Sequence, residues 1–116
     1  MYLVESDKTK RLIVITVAGR VTSQEVKAAA MKVRDLVKDF EPGFCMLADF
    51  RLLTAMDSSA APYIAEIMDA VAEKQIARVV RVVPDPRKDI GLNILSRFHY
   101  GPEIEIVTVE TISRGV

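Results

Sequence analysis

The chain has no tryptophan, one cysteine and one histidine in 116 residues. A single thiol, Cys45, excludes an internal disulfide and suits a reducing compartment. Cys45 and His99 lie far apart and show none of the close spacing of a metal-binding motif, so no metal is expected. Lys plus Arg and Asp plus Glu each total 16, giving a formal net charge of zero. The one-sided positive field of a nucleic-acid or anionic-membrane binder is therefore missing. The five glycines are scattered, with no Gly-rich phosphate loop and no cofactor fingerprint. The longest apolar run, Leu12 to Ala18 around Thr16, is too short to cross a bilayer. MYLVESDKTK lacks the basic-then-apolar pattern of a secretory signal. These absences point to a cytoplasmic protein that binds neither nucleic acid nor membrane.

Core material is plentiful. Half of the residues are hydrophobic, and residues 1–116 suit one domain with a real core. Tyr2 to Glu5 reads as a first strand, with a turn over Ser6 to Thr9. RLIVITVA (Arg11 to Ala18) is β-branched and apolar on both alternating faces, an interior strand covered at least partly on each side. Gly19 ends it. Thr22 and Glu25 form a capping box, opening a helix over 23–40 with Val26, Ala29, Ala30, Val33, Val37 and Phe40 on one stripe. Pro42-Gly43 breaks the helix, and Phe44 to Phe50 is a second buried strand. A helix over 59–75 carries Ile64, Ile67, Met68 and Val71 on one face. Arg78 to Val83 is the next strand. Asp85-Pro86 opens a helix over 86–99, and Glu103 to Val109 alternates as a half-buried strand. The order ββαβαβαβ implies an α/β fold with a mixed sheet whose parallel pairs are joined by helical crossovers.

MDSSAAPY (Met56 to Tyr63) stands between a strand and a helix. Asp57, Ser58 and Ser59 are all good N-cap residues, so capping is their ordinary structural use. Pro62 discriminates among them: with Ser59 as cap, the proline is the third helical residue and costs no ladder bond. Asp57 and Ser58 then sit in an exposed loop. A hydroxyl there is well placed to carry a phosphate, and the charge would alter a docking surface.

LADFRLLTAMDSS (Leu47 to Ser59) resembles the corresponding strand and loop of STAS domains, the family of bacterial anti-sigma factor antagonists. There an apolar strand ends near an aspartate, and Asp-Ser-Ser or Asp-Ser-Thr opens a helix. RLIVITVAGRVT and the order of elements agree as well. The resemblance implies helices packed mainly on one face of the sheet. It also implies a non-enzymatic regulator that binds an anti-sigma factor with serine-kinase character and is switched by phosphorylation of the first serine after the aspartate. On this chain that serine is Ser58, with Asp57 at the docking face and Ser59 as helix cap. The family pattern continues Ser-Ser-Gly-Leu-Gly, where this chain has Ala60-Ala61-Pro62.

Other residues have plainer readings. Asp49 shares the end of the sheet with Asp57 as a partner-binding candidate, or caps a turn over Arg51 to Ala55. A Cys45–His99 nucleophilic pair lacks a third orienting group, and Cys45 mid-strand reads as a small hydrophobe. Arg78, Arg81, Arg87, Lys88 and Arg97 read as a solvated strand edge with snorkelling arginines, although Arg78 and Arg81 fall on opposite faces of their strand. The alternative to a phospho-switch is a STAS-like scaffold that forms a homodimer or holds a small apolar or anionic ligand.

Overall fold

The computed structural model describes residues 1–83 and 104–109. Its elements are β1 (Tyr2–Asp7), β2 (Leu12–Val21), α1 (Ser23–Val37), β3 (Cys45–Met56), a 3-10 turn (Ser58–Ala60), α2 (Ala61–Glu73), β4 (Arg78–Val82) and β5 (Glu105–Val109). The expected helix over 86–99 lies outside the described residues. The sheet order is β1-β2-β3-β4-β5, with β1 antiparallel to β2 and every other pair parallel. This is the mixed α/β sheet the sequence implied.

Two crossovers, β2-α1-β3 and β3-α2-β4, step along the sheet in the same direction. Right-handed crossovers then place both helices on one face. Ile13, Ile15, Val17, Met46, Ala48 and Val79 are buried on that face, beneath Val26, Ala29 and Val33 of α1 and Ile67, Met68 and Val71 of α2. The other face carries Leu12, Val14, Leu47 and Val80, all half-buried, which explains why RLIVITVA is apolar on both alternations. The capping box forms as expected: Thr22 Oγ1 accepts from the Glu25 N–H, and Glu25 accepts from the Thr22 N–H at 3.1 Å.

β2 and β3 both outrun their expected ends. β2 passes through Gly19, whose φ of +66° a side chain would strain, and stops at Val21. β3 continues to Met56 because its register slips twice against β2, between Thr16 and Ala18 and between Gly19 and Arg20. Each slip inserts one extra residue into β3, as a bulge does. As a result Phe50, Leu53 and Met56 reach the core at intervals of three instead of two. That spacing conceals a strand where the sequence suggested a turn.

The arginines of β4 divide. Arg78 lies on the open face and pairs with Glu105 at 2.9 Å. Arg81 lies on the helix-covered face and is only 3% exposed. β4 is an interior strand, so the solvated-edge reading fails for Arg81. Its neighbour in register is Ala48, whose small side chain leaves the guanidinium room, and Nη2 donates to Thr108 Oγ1 at 3.4 Å.

Candidate functional site

Asp57, Ser58 and Ser59 follow the end of β3, but none of their side chains caps the helix that comes next. Asp57 is extended (φ −60°, ψ 134°), and its carbonyl accepts from the Ala60 N–H at 2.9 Å, closing the 3-10 turn. The regular helix therefore begins one residue later than a Ser59 cap implies, with Ala60 at the N-cap position and no side-chain cap bond. Ser59 as N-cap is thus corrected. Pro62 falls within the first two helical positions, where its missing N–H costs nothing. Ala60 is fully buried, so this position holds a small core side chain.

The Asp57 carboxylate points elsewhere. Oδ1 accepts from Arg20 Nη2 at 3.1 Å, and Oδ2 accepts from the backbone N–H of Ser23, the first residue of α1, at 3.4 Å. The Asp57 N–H donates to the Val21 carbonyl at 3.2 Å. One carboxylate thus satisfies an orphan donor of α1 from across the fold and joins the ends of β2 and β3 to the start of α1. With Asp57 anchored in this way, Ser58 and Ser59 are held in a fixed turn with both side chains exposed.

Asp49 does not join this group. Seven strand steps separate it from Met56, roughly 23 Å of chain at the usual rise. It faces Arg51, accepting from its backbone N–H at 3.0 Å, from Nε at 3.0 Å and from Nη2 at 2.8 Å. The guanidinium hydrogen bonds lower the Asp49 pKa against an opposing desolvation. This clamp sits beside the first register slip and steadies it. A carboxyl with a lowered folded-state pKa stabilises the fold above its unfolded pKa, and that stability is lost as pH falls through the folded value. Asp49→Asn is expected to cost less than about 1 kcal/mol at neutral pH, since Arg51 is part-exposed. It should also flatten the loss of stability as pH falls through and below the ordinary carboxylate range. Urea unfolding at a series of pH values checks both effects, and parallel acid limbs for the two proteins would contradict them.

Cys45 is half-buried at the start of β3, in register with Leu12 and Arg78. His99, its suggested partner, lies outside the described residues, as do Arg87, Lys88 and Arg97. No group of three or more His, Cys, Asp or Glu side chains forms a metal cluster among the described residues. No described helix is long and apolar enough to cross a membrane.

Between the sheet and the two helices lies an apolar cavity of about 50 Å³, lined by residues including Ile15, Ala48, Ala29, Ile67 and Met68, with Arg81 in its wall. Ala29 and Ala48, where larger side chains would fill the space, leave part of it open. A cavity of about 150 Å³ is what holds a benzene molecule, so this one admits only a few heavy atoms.

No family model matches the sequence, and no curated protein does. Solved structures do match. An uncharacterized protein of the DUF3478 family with a SpoIIAA-like fold, from Shewanella loihica PV-4, superposes with a TM-score of 0.70 at 14% identity, covering 98% of this chain and 88% of that one. The anti-sigma factor antagonist SpoIIAA in its unphosphorylated form gives 0.68 at 17% identity, with 99% and 93% covered. The Bacillus cell fate determinant SpoIIAA in the phosphorylated form gives 0.62 at 16% identity, with 99% and 96% covered. Identities this low establish architecture alone. The chain has the SpoIIAA-like, STAS-type fold.

Proposed function

We propose that the chain is a non-enzymatic, cytoplasmic regulatory module that docks a protein partner around Asp57, Ser58 and Ser59 and is switched by phosphorylation of Ser58. One observation carries this reading. Asp-Ser-Ser triplets before helices usually serve as caps, yet here no side chain caps the turn or α2. The hydroxyl of Ser58 is presented to solvent on a turn fixed by the anchored carboxylate beside it. Similarity to SpoIIAA structures in unphosphorylated and phosphorylated forms supports the reading. The partner it implies is an anti-sigma factor with serine-kinase character. In the modification, Ser58 Oγ bonds the γ-phosphorus of a nucleoside triphosphate, the bond from that phosphorus to the β,γ-bridging oxygen breaks, the nucleoside diphosphate leaves, and the hydroxyl proton passes to a base on the kinase.

The scaffold reading, in which a small ligand is held without a switch, draws on the cavity. Its volume of about 50 Å³ makes it the weaker reading.

The test uses tagged wild type and Ser58→Ala as baits in lysate of the source organism, with and without ATP. The expected result is capture of one ATP-binding kinase-like protein by both, with an ATP-dependent gain of a single phosphate at Ser58 of the wild type only. Wild type that remains unmodified at Ser58 while a small molecule co-purifies with it would overturn the proposal in favour of the scaffold.

A further inference from the structure

Register brings Arg20 to the end of β3 that leads into the Ser58 turn. It pairs with Ala55 and its neighbour Val21 with Met56, so the end of β2 runs alongside the approach to the 3-10 turn. Its guanidinium makes a hydrogen bond to Asp57 Oδ1 at 3.1 Å, and the side chain is 75% exposed. A cation so exposed and so lightly held is free to change rotamer at little cost. Asp57, in contrast, is only 29% exposed and has a second anchor in the Ser23 N–H. The carboxylate stays in place if the arginine leaves.

Accepting the Ser58 switch as a premise, we propose that Arg20 exchanges partners on phosphorylation, leaving Asp57 Oδ1 and taking the phosphate on Ser58. Three considerations converge. Consecutive residues lie 3.8 Å apart at Cα, so a phosphate on Ser58 springs from the position next to the acceptor that the long Arg20 side chain already reaches. A dianionic phosphate presents three acceptor oxygens to the planar fork of an arginine and competes well against a carboxylate held through one contact. The phosphate would otherwise stand next to Asp57 with its repulsion unrelieved. The charged groups on the elements meeting here are Arg20 on β2, Asp57 itself, and Glu25 and Lys27 in the first turns of α1. Glu25 is engaged by the Thr22 capping box and by the Met1 ammonium at 2.9 Å, so that second cation is already paired.

The exchange gives the switch a specific output. The unmodified surface shows a neutralised Arg20–Asp57 pair beside a neutral hydroxyl. The modified surface shows an arginine–phosphate pair beside an uncovered carboxylate. A partner that reads this surface meets a rearranged charge pattern, while Asp57 keeps α1 anchored and the fold unchanged.

The test installs phosphoserine at position 58 by genetic encoding, so no kinase is needed. In proton–nitrogen NMR, the Arg20 Nε–H signal is expected to shift between the unmodified and phosphorylated proteins. In phosphorus NMR, the second ionisation of the phosphate should rise by about half a unit in Arg20→Gln, the equivalent of one surface ion pair. Arg20→Lys should recover part of that change. An Arg20 signal unmoved by phosphorylation, or identical phosphate titrations in wild type and Arg20→Gln, would overturn the exchange. Either result bears on the exchange alone, because failure of the switch itself shows as the absence of a kinase partner and of phosphate at Ser58 in lysate.

Discussion

Ser58→Asp is expected to bind the captured partner about a hundredfold more weakly than wild type, a loss of nearly 3 kcal/mol. The substitution puts a fixed negative charge next to Asp57 on an exposed turn. In the free protein that charge is solvated and costs little. In a complex it must be stripped of water beside another carboxylate, and the single Arg20 guanidinium cannot neutralise both charges. Buried like charges and imperfectly paired groups at an interface carry penalties of this size. Ser58→Ala, which removes an exposed hydroxyl, should stay within about twofold of wild type. Calorimetric titration of the purified pair supplies the numbers, and melting temperatures of the free variants show that the fold is intact. Affinity for Ser58→Asp within threefold of wild type would remove Ser58 from the docking surface.

Phe44→Ala should have the largest effect on stability, about 3–5 kcal/mol. Phe44 is fully buried at the entrance to β3, its ring tilted against Phe40 with centroids 5.2 Å apart. The backbone around it is tied on both sides. The Ala77 N–H donates to the Phe44 carbonyl at 2.8 Å, the Cys45 N–H to Arg11 at 2.9 Å, and the Gly43 N–H to Gln75 at 2.9 Å. A turn pinned by three bonds has little freedom to collapse into the space a ring vacates, so most of the cavity penalty is felt. Against a total of roughly 5–15 kcal/mol for a domain, the loss is a large share. The chain lacks tryptophan, so far-UV circular dichroism in urea is the natural readout. A cost below 1 kcal/mol would mean that the Phe40–Phe44 corner does not brace β3.

Local signals in the sequence translated well into structure. The capping box of Thr22 and Glu25, the stripe from Val26 as far as Val37, where the helix stops short of the expected Phe40, and the apolar alternation of β2 each depend on neighbours within a turn or a strand. Features decided across the chain did not translate. The second half of β3 was hidden because two bulges change the core spacing of Phe50, Leu53 and Met56 from two to three. Ser59 looked like a cap because nothing local reveals that the Asp57 carbonyl closes a 3-10 turn with Ala60. The strand alternation placed Arg78 and Arg81 on opposite faces, but only the position of β4 inside the sheet decides which of them is buried. The Asp57 tie to Ser23 spans 34 residues, and no short-range pattern carries it. In the candidate site, the residues were legible and their bonding was not.

In the described sheet, spatial order repeats chain order, from β1 at one edge to β5 at the other. No strand is inserted between two that came earlier. Each strand after the first pairs with one that precedes it in the chain, so its partner is synthesised before it. This order lets the sheet grow one strand at a time from the β1–β2 hairpin, the pairing with the shortest loop to close. No pair already formed has to open for a later strand to enter.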